Sequence, residues 1–420
     1  MQSSAPGTAS PLSIAAIILS MTVLALGNGI IFTYVPYTLA RTPDTRWAAD
    51  FAIAAVALGG LAGSFLAGPL IRRAGHARLF AVSFALVIVS EAIIAMGTNP
   101  LAWVLARGIF GAAGNMNFII TQSWINHAAS NDWRGKAMSF FYMTYVIGLG
   151  FGALILGRLP EGSNIAPVVA IMFCAAAIIP VSLTRLPIPP APASVKVDLL
   201  LAWRNSPVAF VGILASGALS TSVQSFTPVY AAVNGISQET IGTLMFVMAL
   251  GLLFVQYPLG ALSDRIDRRL VLVLTCAIIT VSSFVALGVS FAAFVTLMLV
   301  FSVLAGSAES VYSIANAHAN DRADPSYFVA LSSTLLIAWS ISATITPLAI
   351  GALSPVFGPK TFLWSAILVA VSYAVFTLMR LRQRPAAQDE QREGFEIRTA
   401  QVPDAAALSQ PEAQPAPENP

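Results

Sequence analysis

Stretches of about 20 mostly apolar residues follow one another along this chain, at 12–35, 48–70, 79–98, 101–125, 136–157, 166–185, 208–232, 238–261, 270–289, 291–317, 327–352 and 360–380. A helix needs roughly 20 such residues to cross a bilayer, and inside the hydrocarbon every backbone N–H and C=O must be satisfied within the segment. The pattern predicts an all-α polytopic membrane protein with twelve transmembrane helices. The runs are too long, and too rich in Gly and Ala, for the alternating ~10-residue strands of an outer-membrane barrel. Only 10% of the 420 residues are charged and 57% are hydrophobic. Soluble domains average about 25% charged residues, so water-soluble classes are excluded. The net charge of +3 arises from basic residues scattered in short loops and implies no nucleic-acid partner.

Those loops predict an orientation. Arg72, Arg73, Arg78, Arg134, Lys136, Arg185, Lys196, Arg204, Arg265, Arg268, Arg269, Arg322, Arg380, Arg382 and Arg384 fall on one side, fifteen in all. Arg41, Arg46, Arg158 and Lys360, four in all, fall on the other. Basic loops stay in the cytoplasm, which places both termini inside a bacterial inner membrane. The first run is too long for a signal-peptide core and is expected to remain as the first helix. The stretch 186–207 opens with PIPPAPAS and reads as a Pro-rich, non-helical cytoplasmic linker between an N-terminal half, 1–185, and a C-terminal half, 208–384. The segment 385–420 is rich in Pro, Ala, Gln and Glu and reads as a disordered cytoplasmic tail. Cys174 and Cys276 both lie in apolar runs and give no disulfide or metal framework.

The halves repeat. At an offset of 192 residues Pro36 meets Pro228, Ala57-Leu58-Gly59 meets Ala249-Leu250-Gly251, Gly68 meets Gly260, Leu70 meets Leu262 and Arg73 meets Arg265. One shared offset across two helices and a loop indicates parallel structural repeats. The repeated loops GPLIRRAGHARLF (68–80) and GALSDRIDRRLVL (260–272) resemble the major facilitator superfamily signature Gly-x-Leu-x-Asp-Arg-x-Gly-Arg-Arg. Arg107-Gly-Ile-Phe-Gly111 resembles the family's Arg-x-x-x-Gly element. The resemblance covers 12–384 and implies the major facilitator fold, with two pseudo-symmetric six-helix halves and transport by alternating access. The first loop departs in having Arg72 at the usual Asp position, and the second in having Asp267 at the usual Gly. Gly68, Arg72, Arg73, Gly260, Asp264 and Arg265 are the expected gating residues. Gly brings helices close, and an acid beside a helix N-terminus can latch the halves; the same arginines also set topology.

Glu91, Arg107 and Glu309 are the ionisable residues read as lying well inside the spans. A charge at the bilayer centre costs roughly 2.5–3.5 kcal/mol on insertion scales, so each should find a partner or face the bundle interior. Glu91 and Arg107 lie at similar depth on an antiparallel hairpin and are expected as a pair, structural or coupling. Glu309 has no basic neighbour in sequence; it is expected either to carry a proton or to hydrogen-bond a neighbouring helix. His127 and His318 end their helices and read as structural, with no metal-ligand spacing around them. No catalytic or nucleotide-binding motif is present, so no enzyme activity and no cofactor is expected.

The resemblance places the solute cavity between the halves. Polar and aromatic residues on the helices it implicates give the expected substrate contacts: Asn28, Tyr34, Asn115, Asn117, Gln122, Trp124, Gln224, Phe226, Tyr312 and Asn316, with Phe32, Tyr142, Tyr145, Gln256 and Trp339 as further wall. Amides and rings with few cations suit a neutral, planar, hydrogen-bonding solute. The chain also resembles a bacterial branch that includes riboflavin importers, which implies a riboflavin-like substrate. The expected function is secondary active uptake by a monomer, with protons as a candidate coupling ion. A proton-coupled drug or sugar efflux antiporter and a transporter-like receptor remain the alternatives; the Gly-Pro signature of exporters is missing from the fifth helix.

Overall fold

The computed structural model describes residues 11–97, 99–186, 189–190, 197–323 and 327–383. Lys196, Arg384, part of the expected linker and the expected tail lie outside the described residues. The helices are α1 (Pro11–Ala40), α2 (Arg46–Ala74), α3 (His76–Met96), α4 (Pro100–Ala128), α5 (Asn131–Arg158), α6 (Ile165–Ser182), α7 (Leu199–Asn205), α8 (Pro207–Ser220), α9 (Phe226–Val233), α10 (Gln238–Arg265), α11 (Arg268–Gly288), α12 (Phe294–Asn320), α13 (Phe328–Phe357) and α14 (Thr361–Leu381). A π-turn, Thr221–Ser225, joins α8 to α9 into one span, so the described residues form twelve spans.

Eleven of these spans are long and apolar enough to cross a membrane on those grounds alone. The twelfth, α4, is 29 residues long but carries Arg107, Asn115, Asn117 and Gln122 along its length. Its environment compensates for that polarity, since α4 packs against α1, α2, α3 and α5.

The two halves build the same pattern of neighbours. In the first, α2 packs on α4, α3 on α4 and α6, and α1 on α5 and α6. In the second, α10 packs on α12, α11 on α12 and α14, and α8 on α13 and α14. The halves meet through α5 against α10 and α2 against α13, a pseudo-symmetric exchange. The repeated glycine explains the tightest pairing. A Cβ at Gly59 would overlap the Gly108 carbonyl of α4, and one at Gly251 would lie 2.6 Å from Ser302 Cβ of α12. Only a residue without a side chain lets these backbones approach.

The end of the bundle at which α1 begins carries the basic loops. At the far end, side chains tie the halves together. Arg158 pairs with Glu239 at 2.9 Å. Gln238 donates to the carbonyls of Leu156 (2.8 Å) and Leu159 (3.0 Å). The Tyr37 hydroxyl lies 2.7 Å from the Ile236 carbonyl, and Asp50 fills the space that a side chain at Gly351 would need.

The expected non-helical linker differs over its second part. Asp198 accepts from the Leu201 N–H at 2.8 Å and starts α7. Asn205 donates to the Ala319 carbonyl (2.9 Å), and Trp203 packs on Phe376, which fastens α7 to the C-terminal half. The Pro run that suggested extended chain ends before this cap, so it did not bear on 199–205.

Candidate solute cavity and its gates

A cavity of about 200 Å³ lies between the halves. Its wall includes Asn28 and Phe32 of α1, Arg107, Phe110 and Asn115 of α4, and Tyr142 and Tyr145 of α5. From the second half come Ser220, Thr221, Gln224 and Ser225 around the π-turn, Glu309 of α12 and Trp339 of α13.

Pro228 favours the π-turn locally. Pro228 has no N–H for the Gln224 carbonyl four residues earlier, and its ring crowds that carbonyl. The helix widens over 221–225 and turns Gln224 and Ser225 toward the cavity. Ser220 and Gln224 both donate to Glu309 Oε1, so a carboxyl from α12 is held against the opened turn. Pro36, at the equivalent place in α1, leaves that helix unbroken. Sequence reasoning missed Ser220, Thr221 and Ser225; the signal was a Ser/Thr-rich run three to eight residues before a proline.

Arg107 lines the cavity with its guanidinium carbon 4.8 Å from the Phe32 ring centre and 4.5 Å from that of Phe110. The expected Glu91–Arg107 ion pair does not form. Glu91 instead accepts from the Cys174 thiol at 3.3 Å, and the Arg107 guanidinium sits against the Phe32 and Phe110 rings.

Several expected contacts lie outside the cavity wall: Tyr34, Asn117, Gln122, Trp124, Phe226, Tyr312 and Asn316. Asn117 follows Asn115 by two residues, about 200° around a helix, and accepts from Ser83 on α3 instead. Phe226 stands in the same relation to Gln224 and is buried. Gln122 and Trp124 lie about 10–14 Å further along α4 than Asn115; Trp124 packs on Phe80 and His76. Tyr34 packs on Trp103. Tyr312 and Asn316 are buried on α12, closer to the basic end than Glu309. Gln256 is also outside the wall, donating to Ser313 at 2.8 Å and accepting from Tyr142 at 3.4 Å.

The repeated loops differ in detail. Arg73 and Arg265 are exposed, while the buried groups are the next equivalent pair, His76 and Arg268. His76 lies 3.1 Å from the Ser123 hydroxyl. Arg268 reaches Asp321 through Nε (2.7 Å) and Nη2 (3.3 Å), and Nη1 lies 3.5 Å from Asp264. These bonds join α10, α11 and α12 within one half, not the two halves. Gly75 ends α2 at φ +81, where glycine is favoured. Asp267 replaces the second glycine at φ −57 and caps α11 by accepting from the Arg269 N–H (2.9 Å). Burial opposes ionisation of Asp267, but the side-chain and backbone bonds from Arg269 outweigh it and hold the carboxyl below the usual aspartate range. Gly68 and Gly260 are buried, His318 is buried at the end of α12, and Arg72 is exposed.

The sequence model of the Major Facilitator Superfamily matches residues 17–237 and again 209–415, two matches that begin 192 residues apart, the offset already seen between the loops. The chain belongs to the major facilitator superfamily. As a member it is a multi-pass membrane transporter of the secondary type and not an enzyme. An uncharacterised transporter of this type from Enterobacter sp. (strain 638) is 24% identical over 366 residues, 86% of this chain and 94% of that protein. Another, YcaD of Shigella flexneri, is 23% identical over 363 residues, 86% of this chain and 93% of that protein. The fold is similar to that of the nucleoside transporter NupG, with TM-score 0.72 and 14% identity, over 88% of this chain and 100% of that one. It is similar to that of a D-xylose-proton symporter, with TM-score 0.70 and 13% identity, over 90% and 99%.

Proposed function

We propose that this facilitator imports a small polar organic solute together with a proton across a bacterial inner membrane. The observation that carries the reading is Glu309, a buried carboxyl in the cavity wall, held by Ser220 and Gln224 at an opened helix turn. A carboxyl that borders both the solute space and a deformable turn can couple its proton to solute binding. The D-xylose-proton symporter of similar fold adds a precedent for symport. The fifteen-to-four bias of basic residues supports cytoplasmic termini, and closure of the far end then corresponds to an inward-facing state. The cavity lies within one chain, which supports a monomeric transporter.

The expectation of a neutral, riboflavin-like solute took Gln122 and Gln224 as hydrogen-bonding amides and Trp124, Phe226 or Tyr312 as stacking rings; of these Gln224 alone lines the cavity, and none of those rings supports that solute.

The test is uptake into proteoliposomes under an imposed pH gradient, screened over sugars, nucleosides and organic acids. Glu309→Gln is expected to abolish gradient-driven accumulation while leaving counterflow exchange. A Glu309→Gln protein that accumulates solute like wild type would overturn the coupling role. Binding without flux would make the chain a receptor. Reporter fusions after Arg78 and Arg204 are expected on the cytoplasmic side.

A further inference from the structure

Arg107 is a cavity residue that proton-coupled transport leaves without a task. It is 3% exposed, between the rings of Phe32 and Phe110. Ring faces attract a cation, but they do not satisfy five N–H donors in a flat fork. Among the described residues no group accepts a hydrogen bond from Arg107 and no carboxylate reaches ion-pair distance. Its Nη1 is closed off from water and has no partner, while Nε and Nη2, also without a partner, keep the little access the side chain has. The two nearby acids are engaged elsewhere, Glu91 with Cys174 and Glu309 with Ser220 and Gln224. A buried charge without acceptors is strongly unfavourable, so an acceptor from outside the chain answers it.

The same wall holds unmet groups of the opposite sense. Asn28 donates to Tyr145 at 3.0 Å, and Asn115 donates to the Gly60 carbonyl (2.8 Å) and Ser64 (3.0 Å). The amide oxygens of both are buried with no donor. The cavity therefore lacks one anionic acceptor and two hydrogen-bond donors.

We infer that the solute is a small hydroxylated monocarboxylate. Its carboxylate docks on the Nε–Nη2 edge of Arg107 beside the two phenyl rings, and its hydroxyl groups donate to Asn28 and Asn115 once rotation of those amides brings their oxygens into the cavity. A carboxylate matches the fork with two parallel bonds. Among the described residues Arg107 is the single cation of the wall, which disfavours a phosphate dianion. A carboxylate that enters with one proton on Glu309 moves no net charge across the membrane. The inference rests on the cavity being the solute site proposed above.

The experiment measures thermal stabilisation and binding on the purified full chain with lactate, glycerate and gluconate, each against its neutral counterpart, propane-1,2-diol, glycerol and sorbitol. At least one acid is expected to bind, with its neutral counterpart about 10- to 100-fold weaker, the range for losing a charge-assisted bond. Arg107→Gln should remove that preference, and Arg107→Lys, which keeps the charge but not the fork, should retain part of it. Failure of all three acids to bind overturns the inference, as does equal binding of the neutral counterparts. Full acid binding by the double variant Glu91→Gln/Arg107→Gln would also overturn it, because Arg107 would then serve only as a distant counter-charge to Glu91. Flux separates the two readings. Neutral solutes transported with a proton would leave the transporter proposal standing and sink this one; acids bound without flux would do the reverse.

Discussion

Arg268 and Asp321 show how a charge is kept inside the bundle. Both side chains are at most 2% exposed and meet at 2.7 Å with a second bond at 3.3 Å. Breaking a buried pair from one side leaves an uncompensated charge, at about 3–5 kcal/mol. Arg268→Ala should lower the unfolding free energy in detergent by about that amount, and Asp321→Asn, which keeps an acceptor, should lower it less. Asp267 gives a pH test. Its folded carboxyl titrates below the unfolded one, so its stabilisation is present above about pH 4 and lost as pH falls through the folded value. Asp267→Asn should therefore be less stable than wild type at pH 7, and the gap in melting temperature should close in acid. A gap that is the same at both pH values would assign the effect to helix capping alone.

At the scale of elements, the opened turn at 221–225 is the local feature most open to manipulation. Pro228→Ala restores an N–H for the Gln224 carbonyl and removes the ring clash. A proline inside a helix costs about 3 kcal/mol, so the variant should melt higher than wild type. It should also transport more slowly, because a regular helix would rotate Gln224 and Ser220 away from Glu309. Transport at the wild-type rate would show that the π-turn is not needed for coupling. The α10–α12 crossing gives the opposite kind of test. Gly251→Val drives a side chain into Ser302, and overpacking of this kind costs about 1–3 kcal/mol.

The whole molecule is closed at the far end by contacts of α5 with α10 and of α2 with α13. A Cβ at Gly157 would lie 3.1 Å from the Glu239 Cα, within reach of the short Cβ–Cβ spans of a disulfide. Cysteines introduced by Gly157→Cys and Glu239→Cys should cross-link on oxidation and stop transport, and reduction should restore it. Cys174 and Cys276 are buried and free, so they should not compete. Undiminished flux in fully cross-linked protein would rule out alternation by separation of these helices.

Twelve spans and a repeat at 192 residues were legible in the sequence because both follow from one-dimensional patterns: the length of helix that crosses a bilayer, and residues recurring at one offset. Glu309 was legible too, since a lone deep acid stands out in an apolar run. Which side chains face the cavity was not. Transmembrane helices are apolar all round, so they lack the stripe that reveals the buried face of a soluble helix; their rotation is set by packing against neighbours. That is why Asn115 reached the wall and Asn117 did not. The partners of Arg107 were hidden for the same reason. Depth and spacing made Glu91 the natural choice, but only the packed helices put Cys174 against that acid and two phenyl rings against the arginine.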